Sequence, residues 1–122
     1  MIGYVTLGTR DLKKAAAFYD KIAAEMGIGR FMESDTFIAW GSADGSAGLG
    51  VTQPFDGKPM SVGNGVMVAL AATDKAEVDR IYKLALSLGG KCEGAPGQRS
   101  EKFYAAYFRD PEGNKLNAFV MG

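Results

Sequence analysis

Asn117 lies in a short run, Lys115 to Val120, that alternates as a strand does. Leu116, Ala118 and Val120 point one way, and Lys115, Asn117, Phe119 and Met121 point the other. A carboxamide set among aromatic and thioether side chains is a candidate polar anchor for a ligand. Tyr4, Trp40, Met67, Tyr104 and Phe119 are candidates for an apolar, aromatic lining around it. Arg99 and Lys102 are candidates for a positively charged rim that favours an anionic ligand. A largely apolar cleft with a few aimed polar groups is the usual form of a small-molecule site. The facing of Tyr104 stays open, because alternation allows either Tyr104, Ala106 and Phe108 inward or Phe103, Ala105 and Tyr107 inward.

The chemistry that is missing narrows the choice. The chain has no histidine, the commonest transition-metal ligand and the usual general base near neutral pH. Cys92 is the only cysteine, expected to be a small, semi-buried strand residue with no histidine to activate it. It allows no intrachain disulfide, which fits a reducing, cytoplasmic compartment. Glu33, Glu93 and Glu101 are scattered acids and make a poor substitute metal site. No residue is singled out as catalytic, and no cofactor or metal is expected. An unperturbed tyrosine phenol, with a pKa near 10, is a poor base at neutral pH.

These side chains need elements to hold them. The 122 residues are most simply one domain, with 47% apolar and 23% charged residues, as in ordinary soluble globular proteins. Fourteen basic and fourteen acidic side chains balance, so no long-range field draws the chain to nucleic acid or an anionic membrane. No apolar run approaches the roughly 20 residues that span a bilayer, and Arg10 and Asp11 interrupt the N-terminus before a signal-peptide core could form.

Ile2 to Leu7 alternates as a strand, with Val5 and Leu7 on one side and Tyr4 and Thr6 on the other. Asp11 is a plausible N-cap, with Thr9 as rival. Leu12, Ala15, Tyr19, Ile22 and Met26 then recur at helical spacing, and Gly27 and Gly29 end the helix. Short strands are expected over 30–33, 36–40 and 48–52, with Gly48 and Gly50 marking a bulge or a close backbone approach. Residues 53–65 hold two prolines and four glycines or asparagines among their turns and read as a connector. A strand over 66–71 follows. Asp74 and Glu77 form a capping-box pattern before Val78, Ile81, Ala85 and Leu88, and Gly89-Gly90 stops this second helix. Residues 91–94 and 103–109 are strand-like with a looser stretch between them. Asp110-Pro111-Glu112-Gly113-Asn114 is a turn closing a hairpin.

The chain repeats. Val5 and Val68, Leu7 and Leu70, Asp11 and Asp74, Tyr19 and Tyr82, and Gly27 and Gly90 are identical pairs, each 63 positions apart. They fall at strand positions, a cap, a helix position and a helix stop, so they mark one β-α-β-β-β unit used twice. The expected division is a first unit over 1–53, a connector over 54–65 and a second unit over 66–122. Tyr4 falls opposite Met67 in the repeat, and Asn117 shares their non-helix face, so the three are expected to converge.

The closing Arg109-Asp110-Pro111-Glu112-Gly113-Asn114 and its apolar strand, the 53–59 segment and Gly63-Asn64-Gly65 resemble the vicinal oxygen chelate superfamily. This is the glyoxalase, bleomycin-resistance and ring-cleaving dioxygenase group, here in a bacterial glyoxalase-like subfamily, and the likeness covers nearly the whole chain. The resemblance implies an α+β fold of two tandem βαβββ units in one curved mixed sheet, with the helices outside, and a homodimer. In metal-dependent members the position of Asn117 is a glutamate, those of Tyr4 and Met67 are typically histidines, and a further ligand comes from the strand that here carries Gly48 or Gly50. All four are replaced, and residues 99–104 look shortened where the subfamily often carries further histidines. A thioether, a carboxamide and a glycine serve no common divalent ion well. The function expected is therefore metal-free binding of a small, partly apolar or aromatic molecule. The alternatives are a glyoxalase-like lyase or dioxygenase-related enzyme with a non-standard site, and a structural or regulatory dimer with a vestigial cavity.

Overall fold

A computed structural model describes all residues 1–122. The chain divides into two units, Met1–Val62 and Gly63–Gly122. The first runs β1 (Tyr4–Gly8), α1 (Leu12–Glu25), β2 (Gly29–Glu33), β3 (Phe37–Gly41) and β4 (Gly48–Thr52). The second runs β5 (Val68–Ala71), α2 (Lys75–Ser87), β6 (Lys91–Ser100), β7 (Phe103–Arg109) and β8 (Lys115–Met121). The β-α-β-β-β unit read from the repeat is present twice.

Each unit builds its own four-stranded mixed sheet, ordered β1-β4-β3-β2 and β5-β8-β7-β6. In each, the opening strand runs parallel to the closing strand, and the remaining pairs are antiparallel. A single continuous sheet was the expectation. Hydrogen bonding instead stays within the units, because β1 is laddered to β4 and β5 to β8, the last strand of each repeat.

The helix signals work as their chemistry requires. The Asp11 carboxylate accepts from the Lys14 amide at 3.2 Å, and the Thr9 hydroxyl oxygen accepts from the Asp11 amide at 3.0 Å, so both candidates share the start of α1. Asp74 accepts from the Glu77 amide at 2.8 Å. The Glu77 carboxylate returns to the Thr73 amide at 3.0 Å, one residue ahead of the cap. Such caps contribute about 1 kcal/mol each. At the C-terminal ends the left-handed residues are Gly27 (φ 72°) and Gly89 (φ 96°). Gly27 thus corresponds to Gly89 rather than Gly90, because α2 is 13 residues long and α1 is 14.

Alternation places the cores. In the first unit Leu7, Ile38, Trp40 and Val51 of the sheet and Ala15, Phe18, Tyr19 and Ile22 of α1 are all buried. In the second, Phe108, Leu116 and Ala118 are buried with Val78, Ile81 and Ala85 of α2. The segment taken as a connector is not idle: Met60 is only 5% exposed and belongs to the first unit. A Cβ at Gly8 would stand 2.9 Å from the Met60 Cβ, so β1 ends where that side chain enters.

Two strand expectations change. The looser stretch after Gly94 is part of β6, which runs ten residues to Ser100 through three register shifts. It is an edge strand, where Pro96 need not donate to a neighbour. Cys92, expected semi-buried, is exposed on that edge.

Gly90 offers a sharp steric test. A Cβ there would lie 2.6 Å from the Arg109 carbonyl oxygen and 2.7 Å from that of Ala85, both backbone atoms. Gly90→Ala is expected to cost about 1–3 kcal/mol in urea unfolding. Gly29→Ala, which meets nothing within 4 Å, should stay within about 0.5 kcal/mol. Equal effects would refute the steric account.

Candidate functional site

In the second unit, the five-residue turn Asp110–Asn114 sets the face. The Asp110 carboxylate accepts from the amides of Glu112 (3.0 Å) and Asn114 (2.9 Å) and from the Asn114 side chain (3.0 Å). Asp110 and Asn114 also close backbone to backbone at 2.8 Å, and Gly113 takes φ 99°. Register across the hairpin then follows, with Tyr107 opposite Asn117 and Ala105 opposite Phe119. On the far side of β8, Ala69 of β5 is paired with Asn117.

The two faces of this sheet separate cleanly. Tyr104 turns toward α2, where its hydroxyl donates to the Asp79 carboxylate at 2.7 Å and Lys75 stands 5.5 Å from its ring centre. That bond to Asp79, followed by burial, raises the Tyr104 pKa and keeps the phenol protonated. The other face carries Phe103, Ala105, Tyr107, Asn117 and Phe119. Phe103 and Phe119 stack at 5.7 Å. Asn117 is 1% exposed, and its carbonyl oxygen Oδ1 has no hydrogen-bond partner. Leaving a buried acceptor unpaired costs about 1–3 kcal/mol.

Arg99 reaches this same face. Its guanidinium lies 5.4 Å from the Tyr107 ring centre and donates to the carbonyls of Gly97 (2.9 Å) and Ala95 (2.7 Å). Lys115 reaches Tyr107 from β8 at 5.6 Å. Lys102 is exposed at the β6–β7 turn, where its carbonyl accepts from the Gly122 amide. Met67, 40% exposed, sits one residue ahead of β5.

In the first unit, Tyr4 is 59% exposed and meets Phe37 edge-on at 6.2 Å. Gly48 and Gly50 mark close approach rather than a bulge, since β4 keeps unbroken register with both neighbours. A Cβ at Gly50 would stand 2.7 Å from the Phe37 ring, and one at Gly48 would stand 2.8 Å from the Phe31 ring. The rings of Phe31 and Phe37 therefore lie where ligand side chains from this strand would project. Trp40 lies on the opposite, helix-facing side. It is 4% exposed, its indole donates to Asp20 at 2.8 Å, and its ring is 5.6 Å from that of Tyr19.

Of the predicted site residues, the second unit brings Asn117, Phe119 and Arg99 onto one face. Tyr4 lies on the open face of the first unit. Trp40 and Tyr104 are tied to the helices by hydrogen bonds from their polar tips. Phe31 and Phe37 on the first unit's open face went unrecognised in the sequence, and Tyr107 stood there only in one of the two alternative facings of its strand. The signal for the first two was the pair Gly48 and Gly50, whose missing side chains leave room for rings.

The donors do not suit a metal. No three Asp, Glu, Cys or His side chains gather anywhere in the chain. Glu33 is ion-paired to Arg30 at 2.8 Å and Glu93 to Arg109 at 2.5 Å. A depression of about 590 Å³ lies in the first unit by the start of α1 and is lined by Arg10, Lys13, Asp20, Arg30, Asp35 and Gln53 among others. None of the predicted site residues borders it.

A family model, described as the Glyoxalase/Bleomycin resistance protein/Dioxygenase superfamily, matches residues 1–118. Among solved structures, a glyoxalase/bleomycin resistance protein from Albidiferax ferrireducens T118 is 33% identical, with TM-score 0.92 over 100% of this chain and 99% of that one. A glyoxalase/bleomycin resistance protein/dioxygenase family enzyme from Burkholderia phytofirmans PsJN is 20% identical, with TM-score 0.78 over 98% of each chain. A lactoylglutathione lyase from Agrobacterium tumefaciens is 23% identical, with TM-score 0.72 over 98% of this chain and 92% of that one. These last two share the fold. No curated protein matches the sequence significantly.

Two measurements check this geometry. Asn117→Leu removes a buried, unpartnered carbonyl oxygen and keeps the side chain's size, so the ligand-free protein should be as stable as the parent or more so. A loss above about 1 kcal/mol would mean that Oδ1 is satisfied. Asp20, which accepts from Arg30 at 2.8 and 2.9 Å and from Trp40, has its pKa held below the ordinary 3.8, chiefly by the Arg30 bond. Its stabilising effect is therefore present above that value and fades as pH falls through the lower folded value. Asp20→Asn should destabilise modestly at pH 7, since the pair is partly solvated, and the difference from the parent should shrink toward pH 2.

Proposed function

The chain belongs to the glyoxalase/bleomycin resistance protein/dioxygenase superfamily, and from that premise we propose that it is a metal-free small-molecule-binding protein whose ligand docks on the open sheet face of the second unit, anchored by Asn117. The observation that carries this reading is the buried, unpartnered Oδ1 of Asn117. Native proteins rarely leave such an acceptor unmet, and a ligand N–H or O–H that reaches it would satisfy it. Phe119 on Phe103 and the Tyr107 ring supply flat apolar surface beside it.

The donor set supports the metal-free part. Tyr4, Met67 and Asn117 offer a phenol, a thioether and a neutral amide, and Phe31 and Phe37 cover Gly48 and Gly50. Hard divalent ions want carboxylates and carbonyls, and zinc wants imidazole, thiolate or carboxylate. Tyr104 does not help a catalytic reading, because its proton is committed to Asp79.

We also propose a homodimer. Ile2, Tyr4, Phe31 and Met32 of the first unit are each more than half exposed, apolar surface that a partner subunit would cover. A cytoplasmic setting suits a chain with one exposed thiol and no disulfide.

Protein purified without chelator should carry well under one equivalent of Zn, Ni, Mn or Fe by elemental analysis. Thermal-shift screening should find stabilisation by aromatic or amphipathic compounds, weakened in Asn117→Ala, and none by divalent ions. A stoichiometric metal whose removal abolishes a lyase or dioxygenase activity would overturn the reading. Light scattering at tens of micromolar should give about twice the 12.9 kDa chain mass, and a monomer mass would remove the dimer.

A further inference from the structure

Two cations converge on the ring that faces Asn117. Arg99 comes from β6 and Lys115 from β8, with the Tyr107 ring within 5.4 and 5.6 Å of them. Arg99 is held in place rather than loose. Its NH1 and NH2 donate to Gly97 and Ala95, and its guanidinium lies where side chains of Gly94 and Gly97 would otherwise be, 3.2 and 3.0 Å from their ideal Cβ positions. Those two glycines pair with Tyr107 and Ala105, so the seat they form belongs to the open face. Glu93, the acid on the same strand as Arg99, is taken by Arg109. Neither Arg99 nor Lys115 forms a salt bridge, although Lys115 lies near enough to Glu93 to help lower its pKa, after the larger effect of Arg109.

We infer that this face recognises a flat organic acid: its carboxylate takes Arg99 and Lys115 above Tyr107, and a hydroxyl or N–H elsewhere on it donates to Asn117 Oδ1. This rests on the ligand-binding reading above and deepens it to a chemical class. The two requirements are separate and adjacent. The acceptor is buried and wants a donor, while the cations are accessible and want an anion. Tyr107 lies between them, directly across from Asn117. Guanidinium presents paired N–H groups that match a carboxylate, and two of its five donors are already spent on fixing its position. A group held before the ligand arrives loses less freedom on binding. A carboxylate also completes the stack, since guanidinium and ammonium on the ring leave their outer sides to solvent.

The probes are the three hydroxybenzoates, benzoate and the three hydroxybenzamides, titrated by calorimetry and by amide NMR shifts. At least one hydroxybenzoate should bind, with shifts centred on Ala105, Tyr107, Asn117 and Phe119. The matching amide and benzoate should each bind about tenfold more weakly. Raising salt from about 50 to 500 mM should weaken the acid and leave the amide unchanged. The double variant Arg99→Gln, Lys115→Gln, exposed enough to leave the fold intact, should abolish the preference for acid over amide. Gly97→Ala, which displaces the guanidinium without removing charge, should reduce it. Asn117→Leu should abolish the preference for hydroxybenzoate over benzoate. If acid and amide bind equally on this face, and the double variant changes nothing, the acid inference fails while metal-free binding stands. If none of the probes binds at millimolar concentration, or all shifts map to the depression by Arg10 and Lys13, both fail.

Discussion

The register between β7 and β8 is the constraint on which the candidate site depends. Side chains alternate with a period of two, so a slip of one residue would send Asn117 into the core under α2 and turn Leu116 and Ala118 outward. The Asp110 carboxylate prevents that slip. It gathers two turn amides and the Asn114 side chain around itself while buried, 4% exposed. Gly113, at φ 99°, completes a turn that no residue with a Cβ would enter without strain. The turn's polar network and the core packing of Phe108 and Leu116 therefore specify the same alignment. The orphaned Asn117 Oδ1 is held in place by groups that do not touch it.

The two units share one skeleton and use their open faces differently. β1 with β4 and β5 with β8 pair alike: Thr6 lies beside Gly50 as Ala69 lies beside Asn117. Gly50 is thus the first unit's counterpart of Asn117. Where the second unit has a carboxamide, the first has a glycine covered by Phe37, and its neighbour Gly48 is covered by Phe31. The exchange is coupled, because a ring can lie flat on a strand only if the strand beneath it has no side chain. Restoring a ligand at Gly48 or Gly50 would require moving an aromatic ring as well. Glycine plays the same part under Arg99, where Gly94 and Gly97 make room for a guanidinium. In the first unit the glycines and the rings that cover them lie on different strands, whereas Gly94, Gly97 and Arg99 all belong to β6.

Much of the fold was legible because its signals are local. Asp11, Asp74, Gly27, Gly89 and the Asp-Pro-Glu-Gly-Asn turn each act within a few residues, and all fall where the sequence puts them. The alternation of β8 gave the facing of Asn117 and Phe119 correctly. Trp40 and Tyr104 were legible as aromatics but not as partners of the helices. Their facing depends on Asp20 and Asp79, 20 and 25 residues away, which catch the indole N–H and the phenol O–H. Phe31 was hidden by the register shift between Arg30 and Met32, which breaks the alternation that would have assigned its face. Residues 95–100 of β6 were hidden because a proline and a glycine read as loop, although an edge strand tolerates both.

On the proposed reading, a chain without histidine and a sheet face that carries Arg99 and Lys115 fit one electrostatic account. A metal site concentrates positive charge at its ion and surrounds it with acids. Here the acid expected at the closing strand is a neutral amide, Asn117, and the nearby charges are Arg99, Lys115 and the Arg109–Glu93 pair. An amide and two cations cannot stabilise a further cation, because nothing offsets the repulsion or the desolvation of the ion. They can stabilise an anion, and a neutral Oδ1 beside it can accept a proton donor where a glutamate would repel the acid. With Asn117 in place, the face favours negative charge where its metal-dependent relatives are expected to hold positive charge. On the proposed reading the closing strand presents a carboxamide in place of the expected carboxylate, beside an arginine that two glycines allow to lie flat.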